Sequence, residues 1–544
     1  MSTSLLVTAL AGVTVVVLWQ LLRDYVIPSP LDDIPGPPSS SLLAGHLDDL
    51  TERKAWMKVK GWFDAYGAVY RVLGLLGERM VVTSDPKALH HILIKDVENW
   101  PKNLAPSDDL HLLLGPGLLT TEGSRHRRQR KMLNPVFSAA HLRHMAHIFY
   151  DIAHRMRKAV EGRVGQTAEE VDVNGWMART TLEMLGQAGL GYSFDNFAED
   201  STDAYGESIK MFFPLLNQIP VLAFVVMWIS PLIPERLIRV LLRLYPFSAD
   251  LHRMLDISDT MARRSEEIIG AKKSALAKGD DELAHRVGEG KDIMSILLKA
   301  NTAAVEAERL SDEELVAQMS TFILAGMDTT SNALSRTLHA LAQHPSVQER
   351  LRAEILEARE ASNGTDISHD DLVKLPYLDA VCRETLRLYA PVALITRRAA
   401  KDMAVPLTWP VRGKSGVMMT EIPVTKGTFV VVDIQHSNIN KELWGEDALE
   451  WRPERWLTEL PSQLHDARIP GVYSNLLTFS GGTRSCIGFK FSQLEMKIVL
   501  SVLLTAFKFE LTDKPITWNS SAVYYPTMGE ESTKPEMLLK VSSL

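Results

Sequence analysis

The chain is predicted to fold as one large domain, mainly α-helical with a minor β portion, preceded by a single N-terminal transmembrane helix. Three observations lead there. Windows rich in Leu, Ala, Met, Arg and Glu repeat apolar positions every three or four residues across most of the 544-residue chain, which is the period of one helix face. Alternating, strand-like patterns are confined to residues 69–83 and 404–432. A charge-free run, SLLVTALAGVTVVVLWQLL, fills residues 4–22, and at about 1.5 Å per residue it nearly spans the ~30 Å core of a bilayer.

Composition narrows the function. With 46% hydrophobic and 23% charged residues, neither wholesale disorder nor a fibrous rod fits. The net charge of −8 shows no basic excess of the type nucleic-acid binders carry, so none is expected as a partner. Cys382 and Cys486 are the only cysteines. That excludes a disulfide framework and any zinc or iron–sulfur site built on four thiolates.

Taken along the chain, each element has its own signal. Residues 4–22 read as an uncleaved anchor: Met1-Ser2-Thr3 has no basic side chain, and the small Ala9-Leu10-Ala11 lies inside the run. Arg23 is offset by Asp24, Asp32 and Asp33, so loop charge barely orients it. The low cysteine count suits a reducing, cytosolic body. Ile34-Pro35-Gly36-Pro37-Pro38 reads as a stiff hinge. Short strands are expected over 69–73 and 80–83, and Asp85-Pro86 caps and opens a helix. Residues 219–233, IPVLAFVVMWISPLI, fit either a buried helix or a greasy lid at the membrane surface. Residues 270–290 read as a solvated connector, and Pro406, Pro410 and Pro423 mark strand ends or edges within 404–432. A long central helix is expected from the capping box Ser311-x-x-Glu314 to about Gln343, just before Pro345. The boundaries are an anchor at 1–27, a proline-rich hinge segment at 28–50 and a catalytic domain at 51–544.

The chemistry gathers at Phe479-Ser480-Gly481-Gly482-Thr483-Arg484-Ser485-Cys486-Ile487-Gly488, with an amphipathic helix expected directly after it over 489–504. A cysteine at a helix start sits near the positive dipole end, which favours thiolate. Glycines allow close backbone approach to a flat cofactor, and an arginine can pair with an acidic group on it. Such a thiolate is a plausible axial ligand for haem iron. Cys382 has no such setting and reads as a buried apolar cysteine.

The pattern F-x-x-G-x-R-x-C-x-G from Phe479 to Gly488 resembles the haem-binding loop of the cytochrome P-450 superfamily, the haem-thiolate monooxygenases. Three further segments stand in the family's order. Ala325-Gly326-Met327-Asp328-Thr329-Thr330 is similar to the oxygen-activation motif, Glu384-Thr385-Leu386-Arg387 matches E-x-x-R, and Pro453-Glu454-Arg455-Trp456 is similar to P-E-R-F with Trp for Phe. The anchor and hinge resemble the microsomal type, and the phrasing around residues 126–138 is most like fungal members.

The resemblance implies haem b held by Cys486 as iron ligand, with Phe479, Gly482 and Gly488 shaping its loop. It implies that Thr329 positions oxygen and water while Asp328 links to bulk protons. Threonine can also hydrogen-bond to a carbonyl one turn back and loosen the helix; Gly326 costs about 1 kcal/mol relative to alanine there. Glu384 and Arg387, i and i+3 on one face, would join Arg455 in a structural brace beneath the cysteine loop. His126 and Arg130, i and i+4 in GSRHRRQR, with Arg397 and Arg484 would clamp the haem propionates; His126 stands where many members have Trp. Arg127, Arg128 and Lys131 point elsewhere on that helix and are expected to dock an electron donor.

No G-x-G-x-x-G follows a strand, and H-E-x-x-H and G-x-S-x-G are absent, so no nicotinamide or flavin site is expected. Electrons would come from NADPH through a cytochrome reductase, with a cytochrome b-type donor as a second source. The expected reaction places one atom of O₂ in a lipophilic substrate, a terpenoid or other secondary metabolite, and releases the other as water. Fatty-acid or xenobiotic hydroxylation is the alternative. A reductase-independent haem-thiolate isomerase usually lacks the acid–threonine pair, and a non-enzymatic haem sensor would not need it. Single-pass anchoring in the endoplasmic reticulum, with the body facing the cytosol and touching lipid, completes the expectation. The sequons at Asn363 and Asn519 should then stay bare.

Overall fold

The computed structural model describes residues 19, 25–102, 109–164, 168–197, 204–219, 233–278, 291–473 and 475–544. Its axis is the 32-residue helix Asp312–Gln343, about 48 Å long at 1.5 Å per residue. Both capping-box bonds form: the Ser311 hydroxyl accepts from Glu314 N at 3.2 Å, and Glu314 Oε2 accepts from Ser311 N at 2.9 Å. Asp312, Glu313 and Glu314 crowd the first turn, where the helix dipole favours acids. His344 ends it, and Pro345 opens the next helix, Pro345–Ala361. Helices Val173–Met184, Ala249–Lys278, Pro376–Leu388 and Phe489–Leu504 pack around this axis. Apolar side chains from all of them merge into one principal core.

The β portion is small and marginal in position. A four-stranded mixed sheet runs in the spatial order Val69–Leu73, Arg79–Thr83, Phe429–Asp433, Leu394–Arg398. Its middle pair is parallel and the outer pairs are antiparallel. Glu169–Asp172, Leu538–Ser543 and Phe507–Leu511 form a three-stranded antiparallel sheet. Two two-stranded ribbons complete the strands described. The mainly helical, single-core expectation agrees with this.

Several local expectations need correction. The 34–38 segment is docked, not a free hinge. Leu31 and Ile34 are buried in the core, Arg71 N donates to Pro35 O at 2.9 Å, and Asp32 pairs with both Arg71 and Arg79. The expected connector at 270–290 begins late, because helix Ala249–Lys278 runs through Gly270; residues 279–290 lie outside the described residues. The proline expectation needs no correction: Pro406 and Pro410 lie in strand Met403–Arg412 and Pro423 in its partner Met418–Val424, and both strands of this ribbon are edges, which tolerate proline. Helix Phe489–Leu504 is buried on every side over its last eleven residues, so it is a core helix and not an amphipathic one. Among the described residues no helix is long and apolar enough to cross a membrane. The expected anchor at 4–22, Trp19 apart, and residues 220–232 of the apolar run lie outside them.

Candidate active site

The cysteine loop is folded by tight backbone geometry. Ser480 and Gly482 take positive φ values of 55° and 67°, the left-handed region that glycine enters without penalty. A Cβ on Gly482 would stand 2.2 Å from Leu93 O, and one on Gly481 would stand 1.7 Å from Pro470 O. No other residue fits either position. Cys486 N donates to Phe479 O at 2.9 Å and closes the loop, while the Phe479 ring packs edge-on against Tyr473. Gly488 precedes helix Phe489–Leu504, and nothing lies within 3.4 Å of where its Cβ would be.

Cys486 lies deep in the protein, yet its surface is bare. It therefore borders an internal space. Burial pushes its thiol up, against the Gly488 N–H and the Arg130 charge. The helix-start argument for a thiolate is thus outweighed by desolvation in the protein alone. Cys382 is fully packed, and burial pushes it to about 12.

Four basic groups converge beside this loop. Helix Gly123–Leu133 brings His126 and Arg130. Arg130 donates to the Ser485 carbonyl and, at 3.3 Å, to its hydroxyl. Arg397 comes from the sheet strand Leu394–Arg398 and hydrogen-bonds only Thr396 O, at 2.7 Å, among the described residues. Arg484 donates to Thr121 O at 2.8 Å and pairs with Glu122. Burial, then the Arg484, Lys102 and Arg130 charges, drive His126 down to about 3. Burial and Arg484 drive Arg397 down to about 10. Like charges held this close, with Glu122 as their main carboxylate, favour an added anion. Lys102 belongs to this cluster although no motif marks it, because nothing in its local pattern separates it from a surface lysine.

The neighbouring basic residues divide. Arg127 and Lys131 are exposed, in ion pairs with Glu98 and Glu308. Arg128 instead donates to both oxygens of buried Glu314, at 2.8 and 3.0 Å. It braces the start of the central helix and is not free to dock a donor. Burial opposes the Glu314 charge, but Arg125, the Ser311 N–H and Gln129 overcome it and hold this carboxyl at about 2.

On the central helix, Asp328 is buried and Thr329 half-buried, while Ala325 is exposed within the molecule. The Thr329 hydroxyl donates to Ala325 O at 2.7 Å, the back-bond expected of it, and the α-helix continues unbroken through the motif. Asn332 Nδ2 donates to Asp328 Oδ1 at 3.1 Å, and Asn174 donates to Asn332 at 3.1 Å. Burial lifts Asp328 to about 7, against the pull of buried Lys210 and the Asn332 hydrogen bond. Lys210 sits on helix Ala204–Lys210, more than a hundred residues away in sequence, and no motif points to it.

A raised carboxyl pKa carries a stability signature. Between about pH 4 and 7 the native state holds a proton that the unfolded state has released, so stability falls with rising pH across that window and stays low above it. Asp328→Asn removes this loss. Thermal unfolding should show the variant gaining on the parent from pH 5 to pH 8. A variant that loses ground over that range would mean Asp328 is stabilised as the carboxylate.

Glu384 and Arg387 are fully buried on helix Pro376–Leu388. Their pairing is two-pronged, 2.9 Å from Nε and 2.8 Å from Nη2. Arg455 Nε donates to Glu384 Oε1 at 3.3 Å, and its other nitrogens bind Asp447. The indole N–H of Trp456 donates to Glu384 Oε2 at 2.9 Å. The departure from Phe thus adds a donor that the motif alone would not reveal.

The cytochrome P450 family profile matches residues 35–527. The chain is 59% identical over 544 residues to ganoderic acid synthetase of Ganoderma lucidum, covering 99% of each protein. It is 50% identical over 535 residues to cytochrome P450 monooxygenase 91 of Postia placenta, covering 96% of this chain and 97% of that one. A crystal structure of a cytochrome P450 superposes with a TM-score of 0.70 at 22% identity, over 95% of this chain and 100% of that one. The last likeness is one of fold. The chain belongs to the cytochrome P450 family, and it is a monooxygenase of that family.

Proposed function

We propose that the chain inserts one atom of O₂ into a lipophilic secondary metabolite, of terpenoid type, with NADPH electrons delivered by a cytochrome reductase and, as a second source, a cytochrome b-type donor. The observation that carries this is the pairing of a buried Asp328 and a back-bonded Thr329 with a deep, bare Cys486. The 59% identity to a protein named ganoderic acid synthetase supports a secondary metabolite over a fatty acid or xenobiotic.

The residues suit haem b. Cys486 is the accessible thiol that iron requires; Arg130, Arg397 and Arg484 form a cationic cluster, with neutral His126 beside it, suited to two propionates; Gly482 and Gly488 keep the loop thin. Bound there, haem supplies reductive activation of O₂. The chain's own part is proton handling. Asp328, poised near neutral pH, takes up and releases a proton while the Lys210 charge and the Asn332 N–H support its carboxylate, and the Thr329 hydroxyl orients the last donor. The intact acid–threonine pair favours this over a reductase-independent isomerase.

We further propose that residues 1–27 anchor the protein in the endoplasmic reticulum, with the catalytic domain at 51–544 facing the cytosol. Helix Glu235–Leu244 supports contact with lipid: Leu237, Val240, Leu241 and Leu244 are exposed beside exposed Arg236, an interfacial composition, while Arg239 and Arg243 are held by Asp256 and Asp259. Asn519 is fully buried and bonded to Arg53, so the native fold has no room for a glycan there, which supports a bare sequon.

Thr329→Ala tests the reaction. NADPH use should persist while product per NADPH falls, with hydrogen peroxide taking its place. The product rate should drop about a hundredfold, the scale of lost positioning and proton transfer. Unchanged product per NADPH in a reconstituted system would assign Thr329 to packing and overturn the proton-handling role.

A further inference from the structure

The helix that follows the cysteine loop carries a carboxyl that the proton handling described above does not use. Glu495 lies on helix Phe489–Leu504 and is 1% exposed. Thr330 of the central helix is the polar side chain that acts on it, yet the Thr330 hydroxyl is aimed at Ser492 Oγ, at 3.1 Å. Neither Glu495 oxygen therefore has a well-formed hydrogen bond among the described residues. The charges around this helix are engaged elsewhere: Lys497 binds Asp379 at 2.7 Å, and Arg352 binds Leu504 O at 2.7 Å.

A carboxylate left alone in a core is costly, so such a group keeps its proton. Burial pushes Glu495 well up, and Thr330 only partly offsets it. The neutral acid then has an O–H to give and no acceptor that takes it. A buried polar group without a partner calls for a reason, and position supplies one. At 3.6 residues per turn, Asp328 and Thr330 point about 200° apart on the central helix. Asp328 faces Asn332 and the Lys210 charge, while Thr330 faces the helix of Glu495. Thr329 lies between them in sequence. The strip Ser492–Thr330–Glu495 thus fills the seam between the helix that bears Thr329 and the helix that starts just after Cys486.

We propose that Glu495 is a second proton source for the same reaction, acting through the Thr330 hydroxyl, with Ser492 restraining that hydroxyl. The Glu495 carboxyl gives its proton to the Thr330 oxygen as the Thr330 hydroxyl passes its own toward the dioxygen site beside Thr329. Glu495 is left as carboxylate and regains a proton from solvent between turnovers. It acts through another residue and does not touch the reacting atoms. The proposal rests on the proton-handling reading above and adds to it a donor that sustains turnover when Asp328 cannot.

The test reconstitutes the full-length, haem-loaded protein with a fungal NADPH–cytochrome reductase and follows NADPH and O₂ consumption in H₂O and in D₂O, so that no particular substrate is needed. Asp328→Asn should leave a residual rate with a larger solvent isotope effect. Glu495→Gln added to Asp328→Asn should lower that residual rate at least tenfold, the scale of a lost general acid, whereas Glu495→Gln alone should cost about twofold. Glu495→Asp in the Asp328→Asn background should keep part of the residual rate, and Ser492→Ala, which frees Thr330, should raise it. Infrared spectra at pH 8 should show a neutral carboxyl C=O band that Glu495→Gln removes, a readout that needs no turnover. An equal loss from Glu495→Gln in both backgrounds would make Glu495 a packing residue and overturn the proposal. No loss in the Asp328→Asn background, or no such infrared band in the parent, would overturn it as well. If Asp328→Asn alone changes nothing, the Asp328 reading fails, and Glu495 is still judged by its own loss and its own band.

Discussion

Replacing Cys486 by serine is expected to abolish the red-shifted Soret band of the reduced, carbon monoxide–treated protein. Only a thiolate gives iron the electronic push behind that band, and Cys382, the other cysteine, is sealed in the core. The substitution removes one sulfur and leaves the loop intact. Its closure rests on Cys486 N to Phe479 O, its bends on Gly481 and Gly482, and its flank on Arg130 to Ser485. Far-UV circular dichroism should therefore match the parent while monooxygenase activity disappears. A full-strength band in the serine variant would sink the assignment of Cys486 as the iron ligand.

Arg387→Ala should cost about 3–5 kcal/mol of stability, the scale for stranding a buried charge. Arg387 satisfies both oxygens of Glu384 and donates to the carbonyls of Asn438, Ala448 and Glu450 at 3.2, 2.6 and 3.1 Å. Its loss leaves all three carbonyls without that donor. Glu384 would keep Arg455, Trp456 and the Arg452 N–H, so partial retention of fold is expected, with haem lost at lower urea. Urea unfolding followed by circular dichroism measures the effect. A loss under about 1 kcal/mol, the scale of an exposed pair, would mean the network is not what holds this region.

The central helix was legible because its signals are local: Ser311 and Glu314 mark its start, and Pro345 lies just beyond its last turn. The cysteine loop and the E-x-x-R face were legible as motifs for the same reason. What escaped depends on contacts between distant segments. Nothing near Arg128 announces that Glu314 will claim it, and nothing near Lys210 places it by Asp328. Gly270 reads as a breaker, yet a 30-residue helix with a packed face absorbs about 1 kcal/mol of propensity. Pro35 to Pro38 reads as a hinge from backbone stiffness alone; the burial of Leu31 and Ile34 turns that stiffness into a docked edge.

That docked edge also sets the length of the tether. With residues 1–27 proposed as the anchor, residues 28–30 are the only slack before Leu31 enters the core. Three residues reach at most about 11 Å when fully extended, less than the width of the body they carry. The catalytic domain would therefore ride close against the bilayer and could not turn its far side toward it. A lipophilic substrate dissolved in the membrane and a reductase anchored in it would then be met by diffusion within a plane, always from the same side.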